Sequence, residues 1–499
     1  MWLNFDHHYR ELPAACWKDS SPTPVAEPRL VAFNTALAHR LGMQEQPDDS
    51  HLTQWLSGNE VPPGAKPLAM AYAGHQFGNF VPQLGDGRAL LLGEVRDQDG
   101  RLQDVQLKGA GRTPFSRGGD GRAPLGPVLR EYLVSEAMQA LDIPTTRALA
   151  AVTTGERVRR RVVEPGAVLT RVASSHVRIG TFQYLAARGD IEALQELADH
   201  VIGRHYPELA ERPDEERYLA LLDAIVRRQA YLVARWMGVG FIHGVMNTDN
   251  MSVTGETIDY GPCAFMERFH PNTVFSSIDE GRRYAYANQP AIAQWNLARL
   301  AETLLPLIDE DGDRAVARAT EVIEAFSAYF EAQWLSVLAT KLGLDHEARP
   351  DATRALGDEF QAVMKAGRMD FTLSFYRLYQ LAAAMNTPAY PQVREDILAL
   401  GEAPEPLTVW LERWEAYHAE VGVLEGPRLD RMRRANPMLI PRNHRIEEVI
   451  AAAVEQNDFT PFRTLLSLLV KPYDDTDEAR EWALPAQPGQ EVLRTFCGT

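Results

Sequence analysis

Apolar and polar residues follow a two-residue period in parts of the first third of the chain, which predicts short strands. Two such runs, residues 89–96 and 101–108, are joined by the turn-forming segment 97–100 and predict a β-hairpin. In its second strand, Gln106 and Lys108 would lie on the same face, because side chains alternate across a strand. Further strands are predicted at residues 147–153 and 166–172, and a second hairpin at residues 251–259.

A helical period of apolar residues appears in several other segments and dominates the second half of the chain. Helices are predicted at residues 30–41, 127–141 and 218–237, and helix follows helix from residue 289 to about residue 469. The pattern therefore predicts an α+β fold with a mostly helical C-terminal part.

Charge and cysteine content narrow the class of protein. The 499 residues carry 51 Lys and Arg against 68 Asp and Glu, a formal net charge of −17, which argues against nucleic acid as a partner. Only three cysteines occur and no apolar run approaches the roughly 20 residues that cross a bilayer, so a cytoplasmic protein without a membrane partner is expected.

Glycine is concentrated between residues 74 and 121, around the first predicted hairpin. Enzymes of the kinase type cover a nucleotide with a glycine-rich element and hold a strand lysine with a helix glutamate. Lys108 ends the second predicted strand and Glu131 lies in the helix that follows. These two residues are therefore candidates for a phosphate-contacting lysine and its partner, although two ordinary surface charges would produce the same local pattern.

A second candidate site lies at residues 243–261. Many small-molecule kinases of this kind use His-Gly-Asp followed five residues later by Asn, with the Asp as base and the Asn as metal ligand. Here Val245 occupies the Asp position, whereas Asn250 keeps the spacing and Asp259 begins an Asp-x-Gly element typical of a second metal ligand. Either catalysis has been lost, or the adjacent Asp249 is the base of a different reaction.

Several long motifs resemble those of the selenoprotein O (YdiU) family of protein nucleotidyltransferases. They include Gly74-His-Gln-Phe-Gly78, Pro82-Gln-Leu-Gly-Asp-Gly-Arg88, the segment 107–122, Arg130-Glu-Tyr-Leu, and the segments 243–250 and 259–262. The resemblance implies a protein-kinase-like bilobal fold, with an elaborated N-lobe over residues 1–165 and a large helical C-lobe over residues 166–499. It also implies a reversed ATP, from which AMP is transferred to Ser, Thr or Tyr hydroxyls of proteins, or UMP from UTP.

The resemblance also assigns roles to individual residues. Asp249 would be the catalytic base, Asn250 and Asp259 would hold Mg²⁺ or Mn²⁺, and Glu131 would pair with Lys108. The nucleotide site would be formed by Gly85, Gly87, Arg88, Lys108, Asp120, Gly121, Arg171, Arg178 and Asp259. Fixed cations suit this scheme, because a buried triphosphate needs them.

The sequence is compatible with three functions: nucleotidyl transfer, phosphoryl transfer with a relocated base, and nucleotide binding without catalysis. Val245 argues against the second, and the retention of Lys108, Asn250 and Asp259 argues against the third.

In some members of the resembled family, a disulfide joins the C-terminal tail to a cysteine near the active site. Cys497 and Cys263 are the two candidates for such a disulfide here. A buried Cys263 that forms no disulfide is the simpler expectation.

Overall fold

The computed structural model describes residues 3–44, 47–160, 162–422 and 424–496. Its strands are concentrated in the first 173 residues. They are β1 (Phe5–Asp6), β2 (Trp17–Asp19), β3 (Arg29–Phe33), β4 (Leu68–Met70), β5 (Gly74–Gln76), β6 (Asn79–Val81), β7 (Ala89–Arg96), β8 (Leu102–Lys108), β9 (Ala123–Pro124), β10 (Arg147–Arg159), β11 (Val163–Ala173), β12 (Phe241–Ile242) and β13 (Ala264–Phe265).

Most of these strands form one antiparallel sheet. Its main order is β2-β4-β7-β8-β11-β10-β3, with β1 paired to β7 and β9 paired to β11. The predicted hairpin of β7 and β8 is confirmed. Because β8 also pairs with β11, Gln106 lies directly opposite Arg171, and Lys108 lies opposite Leu169. The sheet therefore brings Gln106, Lys108 and Arg171 to the same region.

The rest of the described chain is mainly helical, as the periodicity predicted. The helices are α1 (Thr35–Arg40), α2 (Asp49–Ser57), α3 (Leu125–Ala140), α4 (Ile179–Ala186), α5 (Ile191–His205), α6 (Asp214–Gly238), α7 (Gln289–Ile308), α8 (Gly312–Leu342), α9 (Pro350–Ala366), α10 (Phe371–Ala384), α11 (Tyr390–Leu398), α12 (Pro404–Val421), α13 (Gly426–Ala435), α14 (Asn443–Gln456), α15 (Thr460–Leu469) and α16 (Asp477–Trp482).

Helix α3 is buried along nearly its whole length. It packs against β10 and β11 on one side and against α14 and α15 on the other. Leu129 and Leu133 form part of the apolar cluster that joins these elements. Such packing fixes the helix axis, and with it the position of Glu131 relative to the sheet.

Two local predictions are wrong. Residues 30–41 are not one helix: residues 29–33 form β3, and the Asn34 side chain accepts a hydrogen bond from the Leu37 N–H at the start of α1. Such a cap sets where a helix begins, and β3 is held by pairing with β10, which periodicity alone does not report.

The predicted hairpin at residues 251–259 is also absent. Ser252 instead forms an isolated bridge with Arg178, and Thr257 forms one with Thr145. Distant partners thus replace the local pairing.

The mixed α and β composition and the large helical C-terminal part agree with the predicted fold class. The kinase-like bilobal arrangement and its division after residue 165 stay predictions. Among the described helices, none has the combination of length and apolar character required to cross a membrane.

Candidate functional site

A cleft of about 560 Å³ lies beside the β7, β8 and β11 strands. Most of its walls come from three parts of the chain: the glycine-rich loops around the first hairpin, the strand β11 with the residues after it, and the segment 245–262. Arg160 and Ile278 complete the lining. Each residue predicted for the site, other than Glu131, lines this cleft: Gly85, Gly87, Arg88, Lys108, Asp120, Gly121, Arg171, Arg178, Asp249, Asn250 and Asp259.

Lys108 and Glu131 form an ion pair at the base of the cleft. Lys108 Nζ donates to Glu131 Oε2 at 2.6 Å, and it also donates to Asp259 Oδ1 at 3.0 Å. Glu131 accepts a second hydrogen bond, from Arg171 Nη1 at 3.3 Å. The helix glutamate therefore holds two of the predicted cations at once.

Asp259 is the centre of the charged cluster. Its Oδ1 accepts from Arg171 Nη1 at 2.7 Å, in addition to Lys108, and its Oδ2 accepts from Arg178 Nη1 at 3.0 Å. Burial alone would raise the pKa of Asp259, but the three cations hold it well below its usual range. The carboxylate is consequently charged throughout the neutral range.

The backbone of Asp259 is unusual. Its φ is +63°, in the left-handed region that few residues other than glycine adopt and that aspartate tolerates better than most. The Gly261 N–H donates to the Asp259 carbonyl at 2.9 Å and closes a tight turn. This turn points the carboxylate toward Arg171 and Arg178, and strained backbone of this kind is common at functional sites.

Arg171 is positioned by two residues that the sequence did not single out for the site. Its Nε and Nη2 both donate to Gln106 Oε1, at 3.2 and 2.6 Å. Gln106 in turn donates from Nε2 to Asp86 Oδ2 at 3.1 Å. Strand alternation placed Gln106 on the same face as Lys108, which is the signal that could have identified it.

Asp249 lies in a short 3-10 helix, Thr248–Asn250, and its surroundings are very different. Its Oδ2 accepts one hydrogen bond, from Gln76 Nε2 at 3.4 Å, and its Oδ1 is buried with no hydrogen-bond partner in the structure. Burial raises the pKa of the Asp249 carboxyl to about 6. A carboxylate of this kind is well suited to accept a proton near neutral pH.

Arg178 connects the two aspartates. Its Nη1 donates both to the Asp249 carbonyl oxygen, at 2.8 Å, and to Asp259 Oδ2. Its guanidinium carbon lies 4.4 Å from the ring centroid of Tyr72, a stacking contact that fixes the plane of the side chain. One arginine thus couples the position of the segment 247–250 to the charged cluster.

Asn250 is held by its own segment. Its Nδ2 donates to the Val245 carbonyl at 2.9 Å, so its Oδ1 is the atom that could serve as a metal ligand. Asn250 and Asp259 line the same cleft. Across the described part of the chain, no cluster of three or more His, Cys, Asp or Glu side chains could hold a metal ion by itself.

The glycine-rich loops approach one another closely at the cleft. A Cβ on Gly85 would lie 2.3 Å from Cγ of the Phe115 ring, and a Cβ on Gly121 would lie 2.0 Å from the Gly111 carbonyl oxygen. Both glycines have positive φ, so a side chain there is excluded by space and by conformation.

Asp120, next to Gly121, is fixed by Arg160 in a bidentate pair with both distances at 2.8 Å. These hydrogen bonds lower the pKa of Asp120 to about 2. Arg160 lines the cleft as well and was not predicted from the sequence.

Cys263 is buried beside the cleft, and its carbonyl accepts from Arg130 Nη1 at 3.3 Å. Cys497 lies outside the described residues. The end of the described chain lies close to Cys263, because Thr495 Oγ1 donates a hydrogen bond to the Pro262 carbonyl at 2.5 Å. The disulfide between Cys263 and Cys497 stays a prediction.

Buried cations beside one ionised aspartate and a second aspartate with a raised pKa are features of phosphate-handling active sites. The family model described as "Protein adenylyltransferase SelO" matches residues 1–470. The chain therefore belongs to the SelO family, which confirms the family resemblance drawn from the motifs.

Named relatives agree with the family model. The protein nucleotidyltransferase YdiU of Rhizobium rhizogenes is 56% identical over 498 residues, covering 100% of this chain and 97% of the relative. The proteins of the same name from Rhizobium meliloti and Rhodopseudomonas palustris are each 55% identical over 499 residues and are covered to 99%. The family and relative names indicate an enzyme that transfers nucleotides to proteins.

Proposed function

We propose that this chain is a metal-dependent protein nucleotidyltransferase that transfers AMP from ATP, or UMP from UTP, to Ser, Thr or Tyr hydroxyls of proteins. Membership of the SelO family supports the class of reaction. The observation that carries the proposal is the pairing of Asp249, a buried carboxylate with one unpartnered oxygen, with a separate cluster of three cations around Asp259.

The cation cluster is the proposed triphosphate site. Among the described residues, Lys108, Arg171 and Arg178 form ion pairs with Glu131 and Asp259 only. A polyanion entering the cleft would meet preorganised donors in a site from which much water is already excluded, and this strengthens each interaction. The kinase-like fold and a reversed nucleotide are part of this proposal.

Asp249 is the proposed proton acceptor. The hydroxyl oxygen of the protein substrate attacks the α-phosphorus, while its proton passes to Asp249. The bond from the α-phosphorus to the bridging oxygen breaks, and pyrophosphate leaves with the electron pair of that bond. Lys108, Arg171 and Arg178 are the groups available to stabilise the negative charge on the phosphates.

The residues present suit a divalent cation. Asn250 Oδ1 and the Asp259 carboxylate offer oxygen ligands in the same cleft, and Mg²⁺ is commonly held by one or two protein oxygens together with substrate phosphates. This explains why no all-protein metal cluster is needed. Bound Mg²⁺ or Mn²⁺ would supply Lewis-acid polarisation of the phosphate oxygens.

Phosphoryl transfer is less consistent with the site. Val245 lines the cleft where the usual kinase sequence has its base, and a valine cannot accept a proton. The nearest carboxylate in this segment is Asp249, four residues further along the chain.

The cytoplasmic location expected from the composition stays a prediction.

Two labels of ATP distinguish the alternatives. The purified chain is incubated with Mg²⁺ or Mn²⁺, a heat-treated bacterial protein extract as acceptor mixture, and ATP labelled at either the α or the γ phosphate. The proposal requires protein-bound label from the α position only. Label from the γ position alone would show a kinase, and no label from either would overturn the enzymatic assignment.

A further inference from the structure

The segment Gly74-His-Gln-Phe-Gly78 takes no part in the mechanism above, yet it lies against the proposed catalytic residue. It forms β5 and the turn that leads to β6, in a two-stranded hairpin separate from the main sheet. Three consecutive residues of the hairpin each make a hydrogen bond to a different residue of the segment 247–249.

The contacts join three consecutive residues of each segment, although not in matching order. The His75 N–H donates to Thr248 Oγ1 at 2.7 Å, and the Phe77 N–H donates to Asn247 Oδ1 at 3.0 Å. Between them, Gln76 reaches Asp249 through its side chain. Main-chain donors therefore bind the two residues before Asp249, and a side-chain donor binds Asp249 itself.

Gly74 brings the hairpin directly against the carboxylate. A Cβ at this position would lie 2.4 Å from Asp249 Oδ1 and 2.9 Å from its Cγ. The φ of Gly74 is not in the left-handed region, so the glycine is required by the close approach and not by the turn. Any side chain at this position would displace the Asp249 carboxylate.

A closed hydrogen-bond ring fixes this contact to helix α4. Thr248 Oγ1 donates to Gln183 Oε1 at 2.6 Å, and Gln183 Nε2 donates to His75 Nδ1 at 2.8 Å. The His75 N–H closes the ring by donating to Thr248 Oγ1. Tyr284 supports the other end, since its hydroxyl donates to Asn247 Oδ1 at 2.6 Å. Buried networks with every member satisfied hold side chains in one arrangement.

We propose that residues 74–77 of this hairpin are a clamp that positions Asp249, and that Gln76 is a positioning residue for nucleotidyl transfer. Gln76 donates the side-chain hydrogen bond that the described residues offer to the carboxylate, and Gly74 leaves the space for it. Thr248 joins the hairpin to the segment 247–249 that carries Asp249. This inference rests on the proposed role of Asp249 as proton acceptor. It predicts that the clamp acts on the rate of transfer and leaves nucleotide binding unchanged.

The central variant is Gln76→Met, which keeps the length of the side chain and removes the donor. Gln76 is partly exposed at the cleft, so the variant should fold normally. We expect kcat for transfer from α-labelled ATP to fall about tenfold, because misplaced catalytic groups lose rate steeply. KM for ATP and the melting temperature should stay at the wild-type values. Asn79→Ala, an exposed change in the same hairpin, is the matched control and should transfer like wild type.

Two further variants separate positioning from folding. Thr248→Val removes the hydroxyl that joins the hairpin to Gln183, whereas Thr248→Ser keeps it. We expect Thr248→Val to lower kcat and Thr248→Ser to restore it. Gly74→Ala should lower kcat by displacing Asp249, with nucleotide affinity retained.

The outcomes for the clamp and for the proposed function can be told apart. If wild type transfers no α-label to any protein of the heat-treated extract, the proposed function fails, and the clamp with it. If wild type transfers label and Gln76→Met, Thr248→Val and Gly74→Ala all do so at the wild-type rate, the clamp is wrong and the proposed function stands. A loss of ATP affinity in Gln76→Met would also overturn the clamp, because it would assign Gln76 to the nucleotide.

Discussion

Asp249 and Asp259 lie ten residues apart, line the same cleft and are coupled through Arg178, yet their surroundings are opposite. Asp259 accepts from three cations, whereas Asp249 accepts from one neutral amide and has one oxygen with no partner among the residues that the structure describes. Burial acts on both, but only at Asp259 do opposite charges outweigh it. Burial alone therefore does not set the charge state: its partners keep Asp259 ionised, whereas Asp249 is the proposed proton acceptor.

The largest expected effect is the loss of activity when the proton acceptor is removed. Asp249→Asn keeps the shape of the side chain but cannot take a proton, so the rate of α-label transfer should fall about 10³-fold. Affinity for ATP, measured by calorimetric titration, should be retained because the three cations are untouched. A variant with normal transfer would contradict the contrast between the two aspartates.

Asp259→Asn tests the other side of the comparison. It removes a charge that faces Lys108, Arg171 and Arg178, and leaving buried charges unpaired costs about 3–5 kcal/mol. We expect a corresponding fall in the free energy of unfolding measured in urea.

Asp99→Asn is the matched control for Asp259→Asn. Asp99 lies 3.6 Å from Arg40 in an exposed pair, which should contribute little. Equal stability losses in the two variants would show that the cluster around Asp259 has no special electrostatic importance.

The same substitution at Asp249 should have the opposite effect on stability. A carboxyl with a pKa of 3.8 when unfolded and about 6 when folded binds more protons in the folded state, so the contribution of Asp249 to stability falls as pH rises from about 4 to 6. Above pH 6 this penalty is complete. Asp249→Asn should therefore raise the free energy of unfolding at pH 8 by about 1–3 kcal/mol. At pH 3.5 the substitution should change the free energy of unfolding little. An effect of the same size at both pH values would contradict this explanation.

A smaller effect is expected in the pH dependence of wild-type activity. Since Asp249 must be deprotonated to accept a proton, kcat/KM should fall about tenfold per pH unit well below pH 6 and become level above pH 7. Asp259 should not titrate in this range, because its pKa is held low. ATP binding measured over the same pH values is the control, and a level profile down to pH 4 would show that Asp249 is not the group that titrates.

The sequence predicts best what depends on neighbouring residues. Strand alternation gave the β7–β8 hairpin, and the helical period gave α3, so Lys108 and Glu131 could be paired before the structure was known. The predicted helix at residues 30–41 failed because Asn34 starts α1 and β3 pairs with a distant strand.

The contacts that distinguish the two aspartates could not be predicted in this way. Gln76 and Asp249 are 173 positions apart in sequence, and Gln106 reaches Arg171 only because β8 pairs with β11. The motifs pointed to Asp249 and Asp259, but the electrostatic difference between them depends on which side chains the fold brings to each. Long-range packing, which no local period reports, supplies that information.

The most direct test of the central claim is the mass of a labelled acceptor. An acceptor protein identified in the extract is incubated with ATP, Mg²⁺ or Mn²⁺ and either wild type or Asp249→Asn, and its intact mass is measured. We expect the mass to increase by one nucleoside monophosphate with wild type and to stay unchanged with Asp249→Asn. An increase by a single phosphoryl group, or equal modification by both chains, would contradict it.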